Sequence, residues 1–207
     1  MSIETLFKDD HVWVVHKPAG LLSVPGRLPQ HADCLISRLQ ETHPEARTVH
    51  RLDCETSGVT VVAMTKSAHR ELSRQFHDRE VAKTYLAVCA GRLEPREGQC
   101  AFPIGMDFMR RPRKQIDYFY GKDALTHWQV LARQDTQTRV KLMPVTGRSH
   151  QLRLHLCSLG HPILGDTLYA PESIVALSPR LLLHAHQLAF THPVTGERLS
   201  FQAACSF

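Results

Sequence analysis

Short runs rich in valine and aromatic residues, broken by proline, glycine or charged turns, constrain this chain more than any other feature. They lie at residues 11–16 (HVWVVH), 59–64 (VTVVAM), 84–89 (TYLAVC), 128–131 (WQVL) and 140–145 (VKLMPV). β-Branched and aromatic side chains suit a pleated, half-buried surface, so each run reads as a strand. Three helices stand between them. The first is expected from an Asp33 N-cap to Thr42, closed by His43-Pro44, since the residue before proline avoids helical dihedrals. The second starts after Ser67, with Ala68, Leu72 and Phe76 as its apolar stripe. The third has Ser149 as cap, Leu152, Leu156 and Leu159 as stripe, and Gly160 as its stop. On it His150 and Arg153 are rotated away from the leucines and can face a site. Several strand pairs are joined without a helix. The expected fold is therefore α+β, one domain over residues 1–207, with a mixed, largely antiparallel sheet flanked by helices and loops. Residues 95–122, holding the RRPRK run, are expected as a long functional loop or a minor hairpin.

Charge adds a second constraint. The 25 Lys and Arg against 20 Asp and Glu give a formal +5. Residues 1–103 balance at 13 of each sign, so the excess lies in the second half. Residues 110–153 carry 10 basic and 3 acidic side chains, among them Arg110, Arg111, Arg113, Lys114, Arg148 and Arg153. Such a stretch suits a polyanion such as nucleic acid, and equally a solvated basic face. Charge does not choose between them.

Other classes fall away. No apolar run reaches the roughly 18 residues of a spanning helix, and the first residues lack the pattern of a secretion signal. A cytoplasmic protein off the membrane is expected. The six cysteines include no CxxC pair and are expected as free thiols, several of them in the core. His150, His155, Cys157 and His161 form one cluster and His184 and His186 another, but neither matches HExxH, and no metal is expected. No GxxxxGK[ST], GxGxxG or GxSxG occurs, which removes nucleotide-cofactor folds and the hydrolase elbow. The four residues His50-Arg51-Leu52-Asp53 resemble a kinase catalytic loop, but no glycine-rich loop or Asp-Phe-Gly accompanies them.

The run HRLDCETSG at 50–58 places Asp53 in a turn leading into the 59–64 strand. An aspartate there can cap the turn, or it can sit at a cleft floor as nucleophile or base. Residue types leave both open.

Further segments lie in order along the chain: HKPAGLLSVPGR at 16–27, KTYLAV at 83–88, TGRSHQLRLH at 146–155, HPILGD at 161–166 and LLHA at 182–185. With HRLDxxTSG they resemble the RluA family of pseudouridine synthases, from residue 10 to residue 200. One departure is the missing proline near the end of residues 203–207. The resemblance is strongest to the family's dual-specificity branch, which lacks an N-terminal S4-like RNA-binding module and acts on ribosomal and transfer RNA.

That resemblance implies an enzyme that isomerises uridine to pseudouridine in a 23S rRNA loop and a tRNA anticodon stem-loop. It implies no cofactor and no nucleotide, and a monomer is the default expectation. Asp53 matches the catalytic aspartate, Tyr85 the active-site tyrosine, and Arg153 the arginine that pairs with the aspartate. Arg51 matches the residue that fills the gap left by the extruded base. His50, Arg148, His150 and Gln151 are expected to contact substrate, and Arg110, Arg111, Arg113 and Lys114 to hold phosphates. The alternatives are the same enzyme class acting on another RNA site, or a non-catalytic RNA-binding protein on the same fold.

Overall fold

All five valine-rich runs are strands, and each extends beyond the apolar residues that announce it. The computed structural model describes residues 3–207. In chain order the elements are β1 (Glu4–Lys8), β2 (Val12–Lys17), a 3-10 turn (Pro29–His31), α1 (Leu35–Gln40), β3 (Arg47–Thr48) and β4 (Ser57–Ala63). There follow α2 (Lys66–His77), β5 (Ala82–Ala90), β6 (Glu97–Cys100), β7 (Ile104–Met106), β8 (Lys114–Ile116), β9 (Thr126–Arg133) and β10 (Gln137–Pro144). The chain ends with α3 (Gln151–Ser158), α4 (Glu172–Val175), β11 (Leu183–Thr191) and β12 (Arg198–Gln202). The class is α+β, as expected. Residues up to Lys83 with His184–Ser206 form one compact unit, and Thr84–Leu183 with Phe207 another.

In the first unit β1, β2 and β4 pair antiparallel, β3 adds to β4, and β12 pairs antiparallel with β11. β11 runs parallel to β4, with His184 opposite Ser57 and Ala185 opposite Gly58. This junction explains Gly58. Its φ is +123°, and a Cβ there would lie 2.1 Å from the Ala185 carbonyl oxygen, so only glycine lets the two backbones meet. β4 is buried along its full length. One face packs Val59 and Val61 with Leu72, Leu188 and Phe190, and Val62 belongs with Trp13, Leu35 and Leu39 on the other. A strand buried on both sides reads as a continuous apolar run rather than an alternating one.

In the second unit β5, β10, β9 and β6 form an antiparallel order, with Tyr85 opposite Leu142. β7 and β8 make a separate two-stranded ribbon within residues 95–122, which is the minor hairpin.

The helices correct three expected caps. α1 begins on Cys34, whose thiol accepts from the Ser37 N–H while the Ser37 hydroxyl accepts from the Cys34 N–H. Asp33 is spent on Arg38, with contacts of 2.7 Å to both Nε and Nη2. α1 also ends at Gln40 rather than Thr42. α2 starts two residues earlier than expected, capped by Thr65, whose hydroxyl accepts from the Ala68 N–H at 3.1 Å. α3 starts on His150, not Ser149, and His150 adopts left-handed backbone at φ 59° without a side-chain cap. Gly160, at φ +84°, ends that helix as expected. α3 carries no single apolar stripe, because Gln151 through Leu156 are all buried. A helix buried all round has no solvent face for a polar stripe to mark.

Candidate functional site

Asp53 sits in the loop between β3 and β4, on a turn closed by the Thr56 N–H donating to its carbonyl at 3.1 Å. The segment is tied down along its length. His50 accepts the Val61 N–H at Nε2 (3.2 Å) and lies 3.1 Å from the Thr60 hydroxyl. Its ring stacks on Phe76 at a centroid distance of 4.4 Å. An acceptor at Nε2 requires the neutral ring, and burial, helped by the Lys83 charge, pushes the His50 pKa down to about 3. The Ser23 hydroxyl grips Leu52 twice, donating to its carbonyl at 2.8 Å and accepting its N–H at 3.0 Å.

Beneath the turn lies Lys17, the last residue of β2 and wholly buried. Its ammonium has three donors, and three backbone carbonyls meet them: Pro18 at 2.9 Å, Leu21 at 2.7 Å and Cys54 at 2.9 Å. The Gly20 N–H also reaches the Cys54 carbonyl, at 3.0 Å. Burial pulls the Lys17 pKa down to about 8, against the opposing pull of Cys54, Glu55 and Asp53. At neutral pH the buried cation therefore stays charged, next to the turn that carries the aspartate. Arg51 is exposed on the same segment.

The second unit carries the remaining candidates. Arg153, in the middle of α3, is 3% exposed, and Asp166 is fully buried. The Arg153 guanidinium donates to both Asp166 carboxylate oxygens, Nε at 2.8 Å and Nη2 at 2.5 Å. Asp166 also accepts the N–H groups of Leu168 (3.0 Å) and Tyr169 (3.2 Å). A bidentate pair supported by two further donors offsets the cost of burying charge and holds the guanidinium in one plane. Tyr169 ties this centre to the basic hairpin. Its hydroxyl accepts the Lys114 N–H at 2.8 Å and bonds His150 Nδ1 at 2.7 Å. The Arg153 and Arg113 guanidiniums lie 5.3 and 5.4 Å from its ring centroid. Tyr85 is half-buried on β5, beside the core that holds Leu142 and Leu152.

Gln151 has a different task from the one expected of it. Its side-chain oxygen accepts from the Thr146 hydroxyl (2.7 Å) and the Arg148 N–H (2.9 Å). Its amide nitrogen donates to the Leu125 carbonyl (3.0 Å) and the Thr126 hydroxyl (2.9 Å). All four positions of the amide are used and the residue is buried, so nothing remains for a base edge. It fixes the loop before α3. Arg148 is half-exposed, its Nε donating to the Asp123 carbonyl at 3.0 Å. On the hairpin, Arg110 pairs with Asp107 (2.9 Å), and Arg111 lies 5.4 Å from the Phe108 ring centroid.

The histidine clusters have structural work. His155 bonds the Thr126 hydroxyl and the Phe102 carbonyl, both at 3.0 Å, and His161 bonds the Ala90 carbonyl at 2.8 Å. His184 joins the Ser57 hydroxyl to the Ala203 carbonyl, which His186 also bonds. Among the described residues no group of three or more His, Cys, Asp or Glu could hold a metal ion. The six cysteines are free thiols, with Cys34, Cys89 and Cys100 buried.

Lys17, Ser23, Asp166 and Tyr169 had no role in the sequence reading, although the first three lie inside its motifs. A signal for Lys17 was present: a lone charge ending an apolar strand, directly before Pro-Ala-Gly. A charge in that place needs partners, and the following loop supplies carbonyls.

Comparison with known proteins agrees along the chain. Residues 11–158 match the family described as RNA pseudouridylate synthase. The dual-specificity RNA pseudouridine synthase RluA of Escherichia coli (strain K12) is 51% identical over 203 residues, covering 98% of this chain and 93% of the relative. The protein of that name from Pasteurella multocida (strain Pm70) is 52% identical over 206 residues, covering 99% and 94%. Among solved structures, human RNA Pseudouridylate Synthase Domain Containing 1 superposes with a TM-score of 0.82 at 30% identity, covering 98% of this chain and 83% of that one. Human RNA Pseudouridylate Synthase Domain Containing 4 gives 0.77 at 29%, covering 98% and 88%.

Proposed function

We propose, because this chain belongs to the RNA pseudouridylate synthase family, that it isomerises specific uridines in a 23S rRNA loop and in the anticodon stem-loop of tRNA. The observation that carries this reading is the 51% identity, over 98% of the chain, to a relative named for dual specificity. The rigid setting of Asp53 supports it.

The reaction breaks the C1′–N1 glycosidic bond, turns the uracil, joins C5 to C1′ and removes the C5 proton. Every atom except the exchanged proton comes from the uridine, so the chemistry calls for no redox partner or phosphate donor. The base must leave its stack before any side chain reaches it. Asp53 acts on the ribose as nucleophile or base, at a position set by the bonds to Lys17, Ser23 and His50. Tyr85 offers the uracil a flat face and a hydroxyl. Arg153, held in one plane by Asp166, is the cation we assign as partner to the catalytic aspartate. Arg51 fills the space the base leaves, a role suited to a planar guanidinium. The protein works as one catalytic domain and a monomer, in the cytoplasm where its RNA substrates are.

The test is tritium release from 5-³H-uridine RNA. Asp53→Asn should abolish release while the variant still binds the RNA. Full release by that variant would remove Asp53 from the chemistry.

A further inference from the structure

The ribbon of β7 and β8 departs from the rest of the surface in one respect: it holds aromatic rings in water. Phe119 and Tyr120 are 92% and 91% exposed, and Tyr118 and Phe108 are each 72% exposed. An aromatic ring can remove 150–250 Å² from water on burial, so a set of uncovered rings marks a surface built to be covered. They occupy the two loops at opposite ends of the ribbon. Phe108 is in the loop joining β7 to β8, and Tyr118, Phe119 and Tyr120 follow β8.

The backbone under these rings is ordered by two aspartates. Asp117 Oδ1 accepts the N–H groups of Phe119 (3.1 Å) and Tyr120 (2.9 Å), and the Gly121 N–H closes the turn onto the Asp117 carbonyl at 3.0 Å. Asp107 does the same in the other loop, accepting from the N–H groups of Met109 (3.2 Å) and Arg110 (3.0 Å). A turn held this way presents its rings without paying backbone entropy when something lands on them. Both carboxylates of residues 104–122 are thereby used, while the same stretch holds five basic side chains. The rings thus stand in a positive field, and the partner they suit is an anion with flat faces.

We propose that these loops are stacking platforms for unpaired bases of the RNA substrate, flanked by a phosphate grip formed by Arg110, Arg111, Arg113 and Lys114. This rests on the RNA-modifying function proposed above and extends it. Such platforms suit the loop substrates proposed above and not continuous duplex. In A-form duplex the bases are stacked on one another and their faces are closed to protein rings, whereas loop bases are open to them. Ring stacking tolerates any base, because each has a π-face.

The experiment compares binding to a stem-loop RNA and to a blunt duplex of equal length and charge, across a range of salt. Replacing both rings, Phe119→Ala with Tyr120→Ala, should weaken stem-loop binding about tenfold or more, with little change for duplex and an unaltered salt slope. In turnover the loss should fall on KM. Arg110→Gln with Arg111→Gln should weaken both RNAs and flatten the salt dependence by about two phosphate contacts. A separate variant, Phe119→Trp, should show fluorescence quenched by the stem-loop and not by dextran sulfate. Undiminished stem-loop binding by the double-alanine variant would overturn the proposal, as would an equal loss on both RNAs. So would unaltered RNA binding together with lost self-association, which would assign the rings to contact between copies. The wild type separates this inference from the function beneath it. If wild type binds the stem-loop and releases tritium while the ring variant matches it, only the platform falls. If wild type neither binds RNA nor releases tritium, both fall.

Discussion

The Asp53 turn and the β7–β8 ribbon use opposite designs. The turn is held from below by groups removed from water: a buried ammonium on three carbonyls, a neutral histidine on a strand N–H, and a serine bonded twice to one backbone residue. The ribbon is held by its own aspartates and turns its functional groups outward. The difference fits the roles proposed for each. A group that must meet a reacting atom gains from preorganisation, and burial of its supports supplies it. A group that grips a variable polymer gains from reach, and exposure keeps its charges hydrated until contact. Disturbing the supports of the turn should therefore cost stability and turnover together, and disturbing the ribbon should cost affinity.

Lys17→Met should have the largest effect. It leaves buried carbonyls without their donors, at a cost on the order of 3 kcal/mol in stability. A lowered urea midpoint with slow turnover is expected. An unchanged midpoint would mean that the turn does not depend on its buried cation.

The pH response sharpens the same contrast. The His50 ring titrates at about 3 in the folded chain, against about 6.5 in the unfolded chain. Between those values the unfolded state binds more protons, so His50 contributes stability present above pH 6.5 and lost as pH falls toward 3. His155, whose pKa is also lowered by burial, adds to this. His50→Gln should flatten the fall in urea midpoint between pH 6.5 and 4.5. A slope identical to wild type would show that His50 is not neutral in the fold.

The smallest effect is expected at the link between the hairpin and α3. Tyr169→Phe removes the hydroxyl that accepts the Lys114 N–H and bonds His150. Stability should fall by about 1 kcal/mol, with a raised KM for RNA. A fall as large as that of Lys17→Met would show that this link bears as much of the fold as the buried cation does.

Much of this organisation was legible in the residues. The five apolar runs announced five strands, since β-branched side chains favour pleated backbone wherever they lie. α2 was read within one or two residues of its observed bounds, because its apolar stripe is local, although its cap is Thr65 and not Ser67. Asp53 and Arg153 came from motifs, whose residues are contiguous in sequence. β11 and β12 went unread: their partly buried, histidine- and serine-containing patterns become strands only through pairing with each other and with β4. The caps of α1 and α3 were misplaced because Asp33 had a better partner in Arg38, and because His150 takes left-handed backbone that no local preference calls for.

The chain's local chemistry was sufficient to set its class, its main strands, one helix and the identity of its motif residues. Such features depend on neighbours a few positions apart, and short-range sterics and hydrogen bonding act at that range. Only the tertiary structure decided which polar groups are buried and with whom. Lys17 meets the Cys54 carbonyl 37 positions away, Ser23 holds Leu52 across 29, and Arg153 finds Asp166 across 13. A buried charge is tolerable only where the folded chain brings it partners. Those partners are chosen by distance in space, on which the order of residues is silent.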